Sequence, residues 1–385
     1  MGSLPSPSRS SATPPPSPEY NSSVQHHRVY ASFCLREPGQ KSTISNWIEC
    51  YNPCNNTWSH ASSIPGLIDN QVLKGFSMVS LGDSIYIIGG RLCHKIRVHN
   101  SDECDDDQFV DLNVEVLSSV LCYNVRGSQW TKCAPMGAPR YDFACTVFDN
   151  KIYVAGGKSN LASARGISSA EVYDPEIDSW TALPNMTALR YKCVGVTWQG
   201  KIHVVGGFAE RADSDGRVQF TERSSADVYD TQAGKWDLVA RMWQLDVPPN
   251  QIVELDDRLF SSGDCLKAWK GHIEAYDGKL NIWSEVDGSH LQTLNSPISR
   301  SATTTIDHDH EDCPPIQRLY LTMAPIGTHL YFLAGHRTAG ELSRTVSMVH
   351  TFDTRATSDA WKSFEPMIGE GEKELCSHCC VVQLS

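Results

Sequence analysis

No apolar run in this sequence approaches the roughly 20 residues a helix needs to cross a bilayer. The amino terminus, MGSLPSPSRSSATPPPSPEY, lacks the apolar stretch of a secretory signal. Positive charge is in deficit: 33 Lys plus Arg stand against 45 Asp plus Glu, a net charge of -12. Such a chain has no general attraction to nucleic acid or to an anionic membrane surface. With 14 cysteines in 385 residues, it is far too sparse in cysteine for a small disulfide scaffold. The thiols are expected to be reduced and buried as small hydrophobes, in a cytoplasmic or nuclear protein. Also missing are a nucleophile elbow, a phosphate-binding glycine loop and paired carboxylates on opposed elements, so no catalytic residue is assigned.

What is present begins with a Ser/Pro-rich segment, residues 1 to 27, too poor in large apolar side chains to offset its ordering entropy and therefore expected to be disordered. Ser6, Thr13 and Ser17 each precede a proline, as a proline-directed kinase requires. Met1-Gly2 with Ser6 also fits N-myristoylation at Gly2, but without a polybasic partner one acyl chain holds a membrane only marginally.

From residue 28 onward one pattern recurs. An alternating apolar run ends in a glycine pair at Ile85–Gly90, Ile152–Gly157 and Ile202–Gly207, and in degraded form at Leu259–Asp264 and Leu330–Gly335. These are short buried strands whose terminal glycines permit positive φ and close backbone approach. A second element, an aromatic residue and then a Trp, follows each run and also occurs once before the first: Tyr51/Trp58, Tyr123/Trp130, Tyr173/Trp180, Tyr229/Trp236, Tyr276/Trp283 and Phe352/Trp361. Seven positions separate the first five pairs and nine the last, which predicts six tight hairpins. From Trp to the next glycine pair the chain runs 31 residues (58 to 89), 26 (130 to 156), 26 (180 to 206) and 27 (236 to 263), and only the last interval, 51 (283 to 334), is long. From glycine pair to the following Trp it scatters, from 20 to 41. One connection is packed and the other is a free surface loop.

The strand with its glycine pair, the Tyr-Asp hairpin and the Trp resemble the kelch repeat, over residues 28 to 385. The resemblance implies an all-β fold, a six-bladed β-propeller with four antiparallel strands per blade. Blades are expected at about 72–134, 140–184, 190–240, 248–286 and 317–366. The first blade has its outer strands near Trp47 to Ser59 and a further strand at His27 to Leu35, but no inner strand. Residues 375–384 are expected to supply it, so that the first blade is 28–62 plus 375–384 and the two chain ends are joined. The Trp residues are expected in the core.

Within the family the chain is most similar to the plant F-box/kelch-repeat group, without a helical stretch before the repeats that could be the F-box. The resemblance implies a non-enzymatic interaction module that presents a loop-lined face to a partner protein, in a substrate-recognition or scaffold role linked to ubiquitin-ligase pathways. A second class is a kelch-fold metalloenzyme of the nitrile-specifier type, acting on a small molecule. Its iron-binding Glu-x-x-x-Asp-x-x-x-His run is not found; Glu103, Asp107 and Asp111 have the spacing with Asp in the last place. No cofactor is assigned.

Blade geometry puts the variable loops and the entrances to the inner strands on one face. Arg140-Tyr141 and Arg190-Tyr191 occupy equivalent points of adjacent repeats there, and Arg91, Lys158, Phe208, Arg211, His336 and Arg337 follow the glycine-pair strands onto the same rim. Arg, Tyr and His on an acidic protein could receive an acidic segment of a partner. Arg140 and Arg190 could equally hold neighbouring loops through carboxylate or carbonyl bonds; both readings are open. Three metal-like clusters read as structural or solvated instead. The acidic stretch Asp102, Glu103, Asp105, Asp106, Asp107 and Asp111 lacks the glycine and distant glutamate of a calcium loop, so the insert Arg91 to Val120 is taken as a solvated loop. Asp307-His308-Asp309-His310 crowds its ligands onto one short loop, and Cys376, Cys379 and Cys380 with His378 lack a second ligand pair.

Overall fold

A computed structural model describes residues 24–37, 44–98, 108–212, 218–221, 223–263, 273–287, 318–337 and 344–384. Ser6, Thr13, Ser17, Gly2, the Asp102–Asp107 stretch and the Asp307–Cys313 cluster lie outside these residues.

The fold is all-β, built from antiparallel four-stranded sheets of the kind that make a kelch-type propeller. The first sheet orders Thr57–Ser63, Trp47–Asn52, His27–Leu35 and Lys373–Gln383. The carboxyl-terminal strand thus pairs with His27–Leu35, from His27 opposite Gln383 to Leu35 opposite Lys373. The second sheet uses residues 77–81, 84–88, 120–124 and 129–133, and the third 144–148, 151–155, 170–174 and 179–183. The fourth uses 194–198, 201–205, 226–230 and 235–239, and the fifth 252–255, 258–261, 273–277 and 282–287. The sixth orders 318–326, 329–337, 344–353 and 361–363, with Met367–Glu370 also paired to its third strand. The innermost strands neighbour one another in the order Lys373–Gln383, Ser77–Leu81, Ala144–Phe148, Val194–Trp198, Ile252–Leu255 and Arg318–Ile326, and the last again neighbours Lys373–Gln383.

The hairpin signature has a structural cause in register. All six aromatic/Trp pairs face each other directly across two strands. Their rings stand 5.0 to 5.2 Å apart between centroids. The indole N–H then donates backward: Trp180 to the Ala134 carbonyl, Trp236 to Pro184 and Trp283 to Met242, each on the segment leaving the preceding sheet. Hairpin turns repeat the device. The Tyr173 hydroxyl donates to Asp178 and Tyr276 to Asn281, turn residues held at φ near 46° and 56°. Asp178 accepts from Ala134 N, and Asn281 donates to the Ala240 carbonyl. Asn56 does the same toward Glu365, linking the first hairpin to the chain beyond the sixth sheet at 3.2 Å.

Three expectations change. Val24 is buried against Val29, Tyr51 and Tyr331, so the ordered chain starts before residue 28; an apolar side chain beside the first strand has a core to enter. Gln71–Lys74, counted with the second blade, belongs to a separate three-stranded sheet with Arg91–Val98 and Gln108–Val116. The described part of the insert after the first glycine pair is therefore a β-hairpin over those residues, not a solvated loop. Asp111 is why its charge misleads: this carboxylate pairs with Lys74 and Lys95 instead of water. Burial alone would raise the Asp111 carboxyl, and the two ammonium groups outweigh it, holding it below the usual range. A second such sheet joins Leu189–Tyr191, Phe208–Ala212 and Val218–Thr221.

Candidate functional site

Arg140 and Arg190 are fully buried. The Arg190 guanidinium donates to the Gly206 carbonyl at 3.0 Å, to the Ser225 carbonyl and hydroxyl, and through Nε to Asp227 at 2.6 Å. Arg140 repeats this with the Gly156 and Ser169 carbonyls and Glu171 at 2.6 Å. The Arg140 carbonyl accepts from Gly90 N and the Arg190 carbonyl from Gly157 N, each of the preceding repeat. A Cβ on Gly89 would stand 2.6 Å from the Arg140 oxygen, and one on Gly156 2.8 Å from that of Arg190. The glycine pair and the Arg are thus one interlock between successive sheets. Of the two open readings, the geometry supports bracing: both guanidinium groups are sealed from the surface and bonded to carbonyls and a carboxylate of this chain, so neither is exposed to a partner.

The residues beside them behave differently. Arg91 lies over the Tyr141 ring at 4.8 Å, and Lys158 over the Tyr191 ring at 4.2 Å. Tyr191 stacks on Phe208 with centroids 5.0 Å apart and planes at 29°. Arg223 closes the row over Phe208 at 5.1 Å. Arg91, Tyr141, Lys158, Tyr191, Phe208 and Arg223 therefore form one alternating cation–aromatic strip across the second, third and fourth sheets. Its logic is local. The residue after a glycine pair leaves the sheet at the rim and meets the aromatic that follows the next repeat's buried Arg. Tyr141 and Lys158 are also tied through reciprocal main-chain hydrogen bonds of 3.0 and 2.9 Å. Burial raises both tyrosines' pKa, so they stay neutral rings that face cations.

Sequence reasoning placed five of these six on the rim and missed Arg223, which follows the second insert at no fixed offset from a glycine pair. Of the remaining candidates, Arg211 is exposed on the second insert sheet. Arg337 is bound to Glu372 at 2.7 Å. His336 is corrected: it is only 4% exposed, opposite Arg318, and burial with that neighbouring cation pushes its pKa down to about 4. A neutral buried imidazole offers a partner no charge.

Beneath the strip lies a cavity of about 550 Å³, bordered by residues of all the innermost strands. Asp142 and Lys192 stand at its wall, each directly after its rim tyrosine and each at φ near 52°. Lys192 N donates to the Asp142 carbonyl at 2.7 Å, and Asp142 N to Gly75 at 2.8 Å. The Arg-Tyr-Asp and Arg-Tyr-Lys triplets were the signal for these two. His378 also lines the cavity; its burial lowers its pKa to about 4. Cys376 and Cys380 are packed in the core. No cluster of three or more His, Cys, Asp or Glu suited to a metal ion occurs among the described residues. No helix among them is long and apolar enough to cross a membrane.

Comparison with known proteins agrees with this architecture. Kelch-motif models match residues 38–65 and 139–187, and a second kelch-motif model matches 73–137. An F-box/kelch-repeat protein of Arabidopsis thaliana is 34% identical over 131 residues, which is 34% of this chain and 31% of the relative. The Arabidopsis F-box/kelch-repeat protein SKIP30 is 31% identical over 33% of each chain. Kelch-like protein 23 of Mus musculus is 27% identical over 33% of this chain and 18% of its own. The matches span about a third or less of these relatives. The chain carries kelch motifs in an all-β fold, and its relatives include plant F-box/kelch-repeat proteins.

Proposed function

We propose that this kelch-motif chain is a non-enzymatic interaction module: a six-bladed ring whose loop face docks an acidic segment of a partner protein on the strip from Arg91 to Arg223. The ring is supported by the circuit of innermost strands and by the Asn56–Glu365 bond between the first hairpin and the segment beyond the last sheet. The observation that carries the docking surface is the row of three cations interleaved with aromatic faces on a protein of net charge -12. Cations already held over rings have their geometry fixed before binding, and Lys158 and Arg223 carry the docking role, since Arg91 also pairs with Asp142 at 3.5 Å. The relatives named F-box/kelch-repeat proteins favour a substrate-side role next to a ubiquitin ligase, in the cytoplasm or nucleus.

The test is binding of a glutamate-rich fluorescent peptide to the full chain, compared with Lys158→Glu and Arg223→Glu. Each is expected to weaken binding at least tenfold at low salt, with wild-type thermal stability. Equal affinity of both variants would remove the strip as the docking surface. A stoichiometric transition metal in protein purified without chelator would favour an enzyme instead.

A further inference from the structure

Strand edges are where sheets risk unwanted pairing, and the outer edges of the main sheets are short and polar: TWSHASS, QWTKC, SWTAL and KWDLV. The first insert sheet breaks that rule. Its edge strand Gln108–Val116 runs nine residues, QFVDLNVEV, with no Lys and no Pro. Among the described residues it pairs only with Arg91–Val98. The hairpin is inverted in polarity. Lys95 and Asp111 take part in an ion-paired cluster with Lys74 and Glu374. Meanwhile Ile96, Val98, Val110, Leu112 and Val114 stand 37 to 55% exposed. Ile96 faces Val110 and His94 faces Leu112, so Ile96, Val98, Val110 and Leu112 share one face, while a β-bulge leaves Val114 without a partner in the ladder.

The backbone directions of this edge are fixed. Lys95 N donates to Asn70 at 2.9 Å, so the odd-numbered groups of the middle strand turn away from the edge strand. The paired register then turns the main-chain groups of Val110 and Leu112 inward, and those of Phe109, Asp111 and Asn113 outward.

We propose that this edge pairs with the same edge of a second copy, antiparallel and centred on Leu112, giving one six-stranded sheet across a two-fold axis. In that register Leu112 meets Leu112 of the other copy, and Val110 lies toward the β-bulge at Val114. Asp111 and Asn113 exchange the outward main-chain hydrogen bonds while their side chains pair carboxylate with amide. Centring on Asp111 would set like charges face to face. An isologous contact of this kind closes at two copies and uses up this edge in both. Only the edge strands meet across the axis, so the flanks of Val110 and Leu112 and the paired main chain bury well under roughly 1,000 Å² in total, and a weak, reversible dimer is expected at high micromolar concentration. It would carry two cation–aromatic strips, since Arg91 begins the hairpin, and so could engage a partner with two acidic segments.

Sedimentation equilibrium of the full chain tests this. The wild type is expected to dimerise at high micromolar concentration, Leu112→Lys to weaken the dimer at least tenfold, and Val110→Thr to weaken it less, all with unchanged thermal unfolding. Leu112→Cys, treated with diamide, is expected to cross-link position 112 to its own copy, because facing residues of a non-hydrogen-bonded pair have Cα atoms about 4.5 Å apart. A monomer at millimolar concentration, a dimer indifferent to Leu112→Lys, or cross-links that avoid position 112 would each overturn the proposal. So would a wild-type monomer in which the edge is protected from hydrogen exchange only when a strand-forming peptide is added, which would give the edge to a different partner.

Discussion

The joint between the third and fourth sheets and the joint that ties the chain ends into the first sheet solve one problem with different chemistry. Between the third and fourth sheets, Arg190 is sealed from water and satisfied by carbonyls and Asp227. At the ends, Glu372 just before the strand Lys373–Gln383, and Lys373 and Glu374 at its start, are each ion-paired in buried or partly buried sites. Glu372 pairs with Arg36 and Arg337, Lys373 with Glu49, and Glu374 with Lys74 and Lys95. A desolvated, fully bonded guanidinium is indifferent to salt but intolerant of losing a partner. A chain of part-exposed ion pairs is tolerant of single losses and weakened by screening. The repeat interior is held by specificity, and the seam by many modest contacts.

The largest test of this contrast removes the seam. Deleting residues 376–385 strips the first sheet of its inner strand and is expected to remove about 5 kcal/mol or more, enough to abolish a cooperative unfolding transition in calorimetry. Arg190→Ala leaves Asp227 buried without its cation and should cost about 3–5 kcal/mol, read as a lower denaturant midpoint that does not depend on added salt. Acid should act next. His203 and His336 are 6% and 4% exposed, and burial, with Arg318 also acting on His336, lowers both to about 4. Their pKa is about 6.5 in the unfolded chain, so the unfolded state binds the extra protons. Stability is then full above pH 6.5 and is lost as pH falls toward 4, by on the order of 1–3 kcal/mol per group. His336→Gln should flatten that part of the urea-midpoint profile. Smallest, Glu374→Gln should cost about 1 kcal/mol, and sodium chloride should speed hydrogen exchange along the carboxyl-terminal strand in wild type more than in this variant.

Much of this was legible because it repeats. Tyr173 and Trp180 sit seven apart since a two-strand hairpin with a short turn must place them face to face, and that spacing recurs whatever lies between. The closing strand was legible by subtraction: one sheet lacked a member and one apolar segment lacked a sheet. The rim was legible in part, because a residue following Gly-Gly has only one way out of the sheet. The burial of Arg140 and Arg190 was not, since the same Arg-Tyr pair suits a brace or a docking site until its carboxylate partners, 31 and 37 residues on, are brought near. The insert hairpin hid for a related reason. Its aliphatic residues alternate outward and its charges inward, the reverse of the pattern by which a half-buried strand is recognised.

The pairing of His27–Leu35 with Lys373–Gln383 has a kinetic consequence. Every other pairing within the sheets joins segments close along the chain, whereas this one spans almost its whole length, and such contacts form late because chain entropy is lost before they reward it. A circular permutant that links Ser385 to residue 24 and opens between the second and third sheets turns that remote pairing into a neighbouring hairpin. It should refold faster than the parent while reaching the same native arrangement, and the rate-limiting step should move to the newly opened junction.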